Sequence, residues 1–288
     1  MSDGSLLSVA VADAPPPEIV FKRKIELGRS MRELWHSKEL VGTLTERNLR
    51  SRYKQTFLGF AWSLITPVTL MVVFTVFLRR VAKIDTGGIP YPIFSYVGLL
   101  PWSFFSGAVS SSSGVILSNN SLLNKIYCPR EVFPISTITS SAVDTACAMF
   151  ALFVLMAVNT YAPTSGVVWV PLLTFVLILF TLGVCLMISA LTVYLRDLRY
   201  GVSIILQLGL FATPVAYSLS SVVPKHLEPY YAAFNPLGPV IQGYRDAVLL
   251  GHRPDFFLLT IATISSCVWV VAGYLVFKRL ETGFADVA

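Results

Sequence analysis

Residues 168–195 read VWVPLLTFVLILFTLGVCLMISALTVYL and contain no charged side chain. A helix needs about 20 consecutive apolar residues to cross the hydrocarbon core of a bilayer, so this run is long enough to span one. The run therefore predicts a transmembrane helix, and it sets the class of the whole chain.

Five further apolar runs flank this stretch, at residues 57–78, 93–117, 132–160, 202–219 and 256–277. The 288 residues include 13% charged and 55% hydrophobic residues, with a mean hydropathy of +0.68, whereas soluble domains carry about a quarter charged residues. We therefore predict an all-α integral membrane protein with six transmembrane helices in residues 56–278. The second run is the weakest, because Pro101, Gly107 and Gly114 interrupt it and such breaks need protein or a cavity around them.

The net charge of +6 permits nucleic-acid binding, so the placement of the basic residues decides its meaning. With the N-terminus in the cytoplasm, 16 of the 22 lysines and arginines fall on the cytoplasmic side, as the positive-inside rule prefers. We therefore predict a multi-pass membrane protein with both termini cytoplasmic and no nucleic-acid partner. Residues 1–29 are predicted to be a flexible tail rather than a cleavable signal, and residues 279–288 a second cytoplasmic tail.

Residues 30–55 are predicted to form an amphipathic helix that lies in the membrane interface. Its approximate apolar stripe consists of Leu34, Val41, Leu44 and Leu49. Beside the stripe lie Arg47, Arg50, Arg52 and Lys54. These four cations are candidates to contact anionic lipid headgroups or a phosphate-bearing substrate as it enters, and a plain solvated anchor is the alternative.

Residues 118–131, between the second and third runs, contain a short candidate helix. Apolar side chains follow i, i+1, i+4, i+5 spacing at Leu122, Leu123, Ile126 and Tyr127, so a helix here shows one apolar face to the cytoplasm. Such a face fits a groove on a soluble partner. The alternative is that the segment folds back on the lipid headgroups.

Residues 220–255 are unusually apolar and rich in proline for an external loop. Two short re-entrant helices buried against protein account for this composition, and an ordinary loop packed on the outer surface is the alternative. Aromatic residues near the expected outer boundary form either an interfacial belt or the lining of a sugar pathway. The candidates for a pore or gate lining are Trp102, Phe104, Phe105, Tyr230, Tyr231 and Phe234.

Asp144 lies in the third run, where a charged carboxylate costs on the order of 3 kcal/mol and is expected to face protein or water. No other run carries a basic residue near its centre, which favours hydrogen bonding across helices over a proton relay. The chain has no GxxxxGK[ST] loop to hold ATP phosphates, and its four cysteines are far apart. We predict no catalytic site, metal or bound cofactor in this chain, so any ATP and Mg belong to another polypeptide.

Several motifs together resemble the type-2 ABC exporter permeases for polysaccharides, the membrane subunits that export lipid-linked O-antigen or teichoic acid. The resemblance covers nearly the whole chain from about Leu40 onward. Its motifs are RNLRSRYK at 47–54, LGFAWSLITP at 58–67, GLLPW at 98–102, NKIYCPREVFP at 124–134, YLRD at 194–197, NPL at 235–237 and FADV at 284–287.

The resemblance implies a homodimer of six-span subunits that encloses a channel, with two copies of an ABC ATPase subunit below it. It implies that residues 30–55 are an interface helix and that residues 220–255 are gate helices. The coupling helix would present Leu122, Leu123, Lys125, Ile126 and Tyr127 to the ATPase. The expected substrate is an O-antigen-like glycan linked to undecaprenyl diphosphate, and membrane lipid is a further partner. The O-antigen-like pattern also implies that the chain lies in the cell inner (cytoplasmic) membrane and moves the glycan across it.

Three other functions compete with this expectation. A drug or small-molecule permease of the same superfamily is one alternative. Only the polysaccharide-type motifs and the aromatic content of this chain favour a polysaccharide permease over it. A proton-driven secondary transporter lacks support, because the runs show no second intramembrane ionisable residue and no evident repeat. A membrane-embedded glycosyltransferase would need clustered carboxylates or histidines, whereas His36, His226 and His252 are scattered.

Overall fold

The computed structural model describes residues 37–54, 59, 61–79, 88–123 and 128–284, and within these ranges every regular element is a helix. The short helical turns are Thr75–Arg79 and Asp246–Leu250, both π-helical, and Ser165–Trp169, which is a 3-10 helix. The α-helices are α1 Lys38–Tyr53, α2 Ala61–Phe74, α3 Tyr91–Ser112, α4 Val115–Ser118, α5 Asn120–Leu123, α6 Val132–Val158, α7 Val170–Tyr194, α8 Leu198–Ala212, α9 Leu219–Val222, α10 Glu228–Phe234, α11 Leu237–Arg245 and α12 Phe256–Glu281.

Within the described ranges, four helices are long and apolar enough to cross a membrane: Tyr91–Ser112, Val132–Val158, Ser165–Tyr194 and Phe256–Glu281. These confirm the prediction of an all-α chain with membrane-spanning helices. The first and fifth predicted spans correspond to the shorter apolar helices Ala61–Phe77 and Leu198–Ala212. At 1.5 Å per residue these extend about 26 and 23 Å, less than the roughly 30 Å of a bilayer core. The count of six spans therefore stays a prediction.

Most of the second predicted span, residues 93–112, belongs to one helix, α3, at the centre of the bundle. α3 passes through Pro101 and Gly107 without a break and ends at Ser112, before Gly114. In its most apolar stretch 78% of the residues are buried, far more than in α6 or α12. Its serines are satisfied within the protein, since Ser112 Oγ lies 2.6 Å from Thr137 Oγ1 on α6. At Pro101 and Gly107 the interruptions of the apolar pattern therefore mark burial against other helices. Gly114, in contrast, lies at a break between α3 and α4.

The helices α7 and α12 pack closely against each other at two glycines. A Cβ atom on Gly273 would collide with the Gly183 carbonyl, and one on Gly183 would collide with the backbone of Trp269. Small residues at such a crossing let two backbones pack directly against each other, which stabilises helix pairs in membranes.

At one end of the bundle, which we call the coupling end, an apolar cluster gathers the segments that the sequence places in the cytoplasm. Its buried members are Leu44, Val115, Ile116, Val132, Phe133, Leu186, Ala190, Val193, Phe277 and Phe284. These residues come from α1, α4, α6, α7 and α12 and from the chain just after α12, and Leu122 and Cys128 of the segment 118–131 pack against them. The helix α1, the segment 118–131 and the last helix therefore converge on one core. α12 runs four residues past the predicted end at 277, and Phe284 beyond it is fully buried.

Helix α1 falls within the predicted interface helix, of which residues 30–36 lie outside the described ranges. It runs lengthwise along α6, because Asn48 Nδ2 donates to Ser136 Oγ and Arg52 reaches Asp144 two turns further on. Only Leu44 and Thr45 of the helix are buried. The predicted orientation of α1 in an interface stays a prediction.

At the opposite end, residues 213–255 form the short helices α9, α10 and α11 with turns between them. α11 is buried over nearly its whole length, and the turn after it packs against the loop before α7. There Thr164 Oγ1 donates to Ala247 O at 2.6 Å and Tyr161 Oη donates to Leu249 O at 2.6 Å. The predicted re-entrant position of these helices in the outer leaflet stays a prediction.

Candidate functional site

The structure leaves three of the four predicted entry cations of α1 exposed, and the fourth, Arg52, is half-buried. Arg50 is exposed and pairs with Glu46 one turn earlier at 2.5 Å, and Lys54 is exposed at the C-cap of the helix. A solvated pair of the Arg50–Glu46 kind contributes little stability. Arg47 and Arg52 instead contact other helices, as described below. The role of all four in substrate entry stays a prediction.

Arg52 forms a network with the intramembrane carboxylate of Asp144. Arg52 Nη1 donates to Asp144 Oδ2 at 2.7 Å, and its Nη2 donates to Ser111 Oγ at 2.6 Å. The neighbouring Tyr53 hydroxyl donates to Asp144 Oδ1 at 2.7 Å. Burial and the hydrogen bond to Asp144 raise the pKa of Tyr53, so its phenol remains a donor at neutral pH. The network ties α1 to both α3 and α6.

Arg47 ties α1 to the start of the predicted coupling segment. Its Nη2 donates to Asn119 Oδ1, and Asn119 Nδ2 in turn donates to Val115 O at 2.7 Å. Asn119 is buried at the turn between α4 and α5. This contact therefore joins α1 to the start of the segment 118–131.

The coupling segment begins with the helical turn α5. Leu122 is half-buried and packs against the apolar cluster of the coupling end. The side chain of Leu123 and residues Lys125, Ile126 and Tyr127 lie outside the described ranges. The docking of this face on a partner therefore stays a prediction.

The other end of the coupling segment is fixed to α12 by a buried ion pair. Glu131 is 2% exposed and contacts the Lys278 ammonium, which also pairs with Glu281 at 2.8 Å. Beside it, Arg130 donates to the Glu281 carbonyl and lies over the Phe284 ring. Both ends of the segment 118–131 are thus held by polar contacts, one to α1 and the other to α12.

At the opposite end, the side chain of Arg245 is fully buried and bonds only backbone carbonyls. Its Nη1 donates to Pro214 O at 2.9 Å and Tyr217 O at 2.7 Å, its Nη2 donates to Val215 O, and its Nε donates to Phe94 O at 3.3 Å. The Ala216 carbonyl accepts from the Tyr91 hydroxyl at 2.8 Å. Four successive carbonyls of the non-helical turn after α8 are therefore satisfied by two side chains.

The six candidate lining aromatics occupy different environments. Trp102, Phe104 and Phe105 are buried inside the chain, and Phe105 stacks on Phe180 at 5.3 Å between ring centres. Tyr231 is half-buried and donates to Ala212 O at 3.0 Å. Only Tyr230 and Phe234 of the six are largely exposed, at 74% and 84%. A role for any of them in lining a channel stays a prediction.

Asn119, Lys278 and Arg245 were not predicted as site residues from the sequence. In the sequence, Asn119 and Lys278 look like ordinary polar residues at the ends of helices. Arg245 did carry a signal, because a basic residue follows the apolar stretch 237–244 in a segment predicted to be buried. Among the described residues no His, Cys, Asp or Glu side chains are grouped to hold a metal, and the four cysteines are free thiols.

The chain is similar to known proteins over most of its length. The family model of the ABC-2 type transporters matches residues 39–249. The O-antigen export system permease protein RfbA of Myxococcus xanthus is 32% identical over 259 residues, which cover 90% of this chain and 98% of that protein. RfbA of Klebsiella pneumoniae is 27% identical over 86% of this chain and 95% of its own length. The polysialic acid transport protein KpsM of Escherichia coli is 24% identical, covering 85% and 94%.

Proposed function

Because this chain belongs to the ABC-2 type transporter family, we propose that it is the membrane permease of an ATP-driven exporter of lipid-linked polysaccharide. The observation that carries the proposal is the nearly full-length similarity to permeases named for the transport of O-antigen and of polysialic acid. The function is also compatible with the absence of a nucleotide-binding loop in the sequence. ATP hydrolysis then belongs to two copies of an ABC ATPase subunit.

In the proposed arrangement the chain crosses the inner membrane six times, with the shorter helices α2 and α8 as the first and fifth spans. Both termini and the coupling end face the cytoplasm, and α9 to α11 form the re-entrant gate on the outer side. The buried, fully bonded turn after α8 supports this placement, because non-helical backbone at membrane depth needs protein partners.

The proposed substrate is a glycan carried on undecaprenyl diphosphate. Its diphosphate is attracted to the end of α1, where Arg50 and Lys54 are exposed and Arg52 lies between them in sequence. Guanidinium groups bind phosphate oxygens in a bidentate manner, which suits them to this headgroup. This subunit makes and breaks no bond in the glycan.

We propose that ATP-driven closure of the ATPase dimer pushes on the face formed by Leu122, Leu123, Lys125, Ile126 and Tyr127. The push then reaches α1 through Arg47–Asn119 and α12 through Glu131–Lys278, since these contacts hold the two ends of the segment. The permease converts this movement into passage of the glycan.

A second copy of the chain completes the proposed channel. α8 exposes large apolar side chains along most of its length and buries only Val202 within its own subunit. The end of α2 and the π-helical turn after it likewise expose Val72, Val73, Val76 and Phe77. We place these two faces around the channel of a homodimer, with Tyr230 and Phe234 near its outer mouth.

Reconstitution tests the proposal directly. The permease and its ATPase are placed in liposomes with a fluorescent, polyprenyl-diphosphate-linked oligosaccharide, and the labelled glycan that reaches the opposite leaflet is measured by its sensitivity to a membrane-impermeant glycosidase. We expect transfer that needs ATP and the permease together. An ATPase variant unable to hydrolyse ATP is the matched control and should leave the glycan in place.

The same preparation separates the competing functions. Transfer driven by a pH gradient without ATP would identify a proton-driven transporter instead. ATP-dependent movement of small amphipathic dyes with no movement of the glycan would identify a drug permease.

A further inference from the structure

The cations of α1 differ in one respect that the proposed function does not use. Arg52 alone among them is held by a carboxylate from a membrane-spanning helix, Asp144 of α6, at 2.7 Å. α6 is about 40 Å long, and Asp144 lies about 18 Å from its first residue. The pair therefore lies deep along the helix rather than at its polar end.

The donors around Asp144 converge as they would on a phosphate. Arg52 Nη1 donates to one carboxylate oxygen and the Tyr53 hydroxyl to the other, both at 2.7 Å. Arg52 Nη2 is turned aside to Ser111 Oγ, whose own hydroxyl is donated to Gly107 O at 2.7 Å. A tetrahedral phosphate group presents several acceptor oxygens, so it can take all of the donors that the carboxylate takes and Nη2 in addition.

The site is partly open. In the ion pair the side chains of Arg52 and Asp144 are 32% and 20% exposed. Arg50 and Lys54, within two residues of Arg52, are exposed and add positive potential beside it. An anion can therefore approach the guanidinium from outside while the carboxylate holds it from within.

We propose that Arg52 and Tyr53 form a phosphate-binding subsite, with Ser111 holding the guanidinium in place, and that the Asp144 carboxylate occupies this subsite until the diphosphate of the substrate displaces it. This inference rests on the proposed function, because it takes a lipid diphosphate as the ligand. Asp144 is then a specificity residue. A singly charged lipid phosphate gains too little to replace a carboxylate, whereas a diphosphate carries more charge and more acceptor oxygens.

Two sources can supply the phosphate, a membrane phospholipid or the diphosphate of the substrate carrier, and binding measurements distinguish them. The complex of permease and ATPase is placed in phosphatidylcholine nanodiscs and titrated with a radiolabelled polyprenyl diphosphate. A second arm adds phosphatidylglycerol, which carries one phosphate charge, as competitor.

We expect Asp144→Asn to bind the polyprenyl diphosphate about threefold more tightly, because it removes the competing charge of a partly exposed ion pair. Arg52→Gln should bind more weakly, and the double variant should bind like Arg52→Gln, since Asp144 acts through the guanidinium. Phosphatidylglycerol should lower the affinity of Asp144→Asn much more than that of the wild type.

The controls separate competition from a structural role. Asp144→Glu keeps the charge and should bind like the wild type. Asp197→Asn removes an exposed carboxylate at the coupling end and should leave the affinity unchanged. The thermal midpoint of each variant shows that the complex is folded.

The inference is overturned if folded Asp144→Asn binds the diphosphate no more tightly than the wild type, or if the gain persists without Arg52. The measurement needs no transport. A wild-type complex that binds the diphosphate but moves no glycan with ATP contradicts the proposed function alone, whereas a transporting complex in which Asp144→Asn gains no affinity contradicts this inference alone.

Discussion

The guanidinium carbon of Arg245 lies 3.9 Å from the centre of the Phe94 ring, over its face. The same group donates to carbonyls from Phe94 at the start of α3 and from the turn after α8. The side chain of Arg245 therefore connects α11 with the start of α3 and with the turn after α8, at the end opposite the coupling end. Because its hydrogen bonds are to backbone carbonyls, the amino-acid types of the partner residues do not reveal them.

Arg245→Lys is expected to destabilise the permease by about 2 kcal/mol, because an ammonium cannot reach all four carbonyls and buried carbonyls left unpaired are costly. For a chain of this size that corresponds to a fall of about 4–8 °C in the thermal midpoint. The midpoint of the purified protein in detergent measures it. Arg253→Gln, an exposed arginine at the same end, is the control and should leave the midpoint unchanged. Equal midpoints for Arg245→Lys and the wild type would contradict the bonding role.

Lys278→Met is expected to cost on the order of 3 kcal/mol, because it leaves the Glu131 carboxylate buried without a counter-charge. The double variant with Glu131→Gln should recover much of that loss, since removing both partners of a buried pair is far less harmful. The free energies of unfolding of Lys278→Met, Glu131→Gln and the double variant give the coupling between the two side chains. Arg279→Gln, a change at an exposed neighbour, is the control. Losses that simply add would show that the two side chains do not act as a pair.

Gly273→Ala is expected to separate α7 from α12, because the new methyl group would overlap the Gly183 carbonyl. The loss should exceed about 1 kcal/mol, since overpacking of a close helix crossing forces the backbone to shift. Gly42→Ala in α1 is the matched change at a glycine whose Cβ would meet open space. That variant should be neutral or slightly stabilising, because alanine favours helix over glycine. A similar effect of both substitutions on the thermal midpoint would argue against direct backbone packing.

Membrane-spanning helices could be predicted from the sequence where apolar character alone decides the structure. The uncharged run that forms α7 can be identified from its length and apolar character alone, without knowledge of the helices that pack against it. The same holds for α6 and α12. α3 was predicted less well, because its proline, glycines and serines resemble a break until the surrounding helices bury them. Hydropathy measures how readily a side chain leaves water for an apolar environment. It does not show whether that environment is lipid or the interior of the protein.

The site was predictable only as separate residues. Asp144 and Arg52 were each identified from their positions, but their pairing depends on α1 running along α6, which no local pattern encodes. Asp144 was expected to bond across helices, and the structure supplies the partner from a helix predicted to lie apart from the bundle. The contacts of Asn119 and Lys278 span 72 and 147 residues of sequence and arise from tertiary packing.

Ile126→Glu with Tyr127→Glu is expected to abolish substrate-stimulated ATP hydrolysis in the reconstituted complex, because charges on the docking face cannot enter an apolar groove. The permease should remain folded, as judged by its thermal midpoint. Leu195→Glu adds a charge at an exposed apolar position of the coupling end and is the control. Stimulation that survives the double substitution would rule out this face as the contact with the ATPase.

The exposed side of α8 is expected to meet its own copy across a two-fold axis. In an isologous interface a residue near the axis lies opposite itself, so a single introduced cysteine can link two subunits. We expect oxidation to give a disulfide-linked dimer for one or more cysteines placed at Ile204, Ile205, Leu208 and Phe211, which are all at least 59% exposed. Val268 on α12 is exposed to a similar degree but lies outside the two faces placed around the channel, so Val268→Cys should stay monomeric on a denaturing gel. The variants carry Cys128→Ala, Cys147→Ala and Cys267→Ala, with the buried Cys185 retained. Linked dimers from α12 and none from α8 would place the subunit interface on the other side of the bundle.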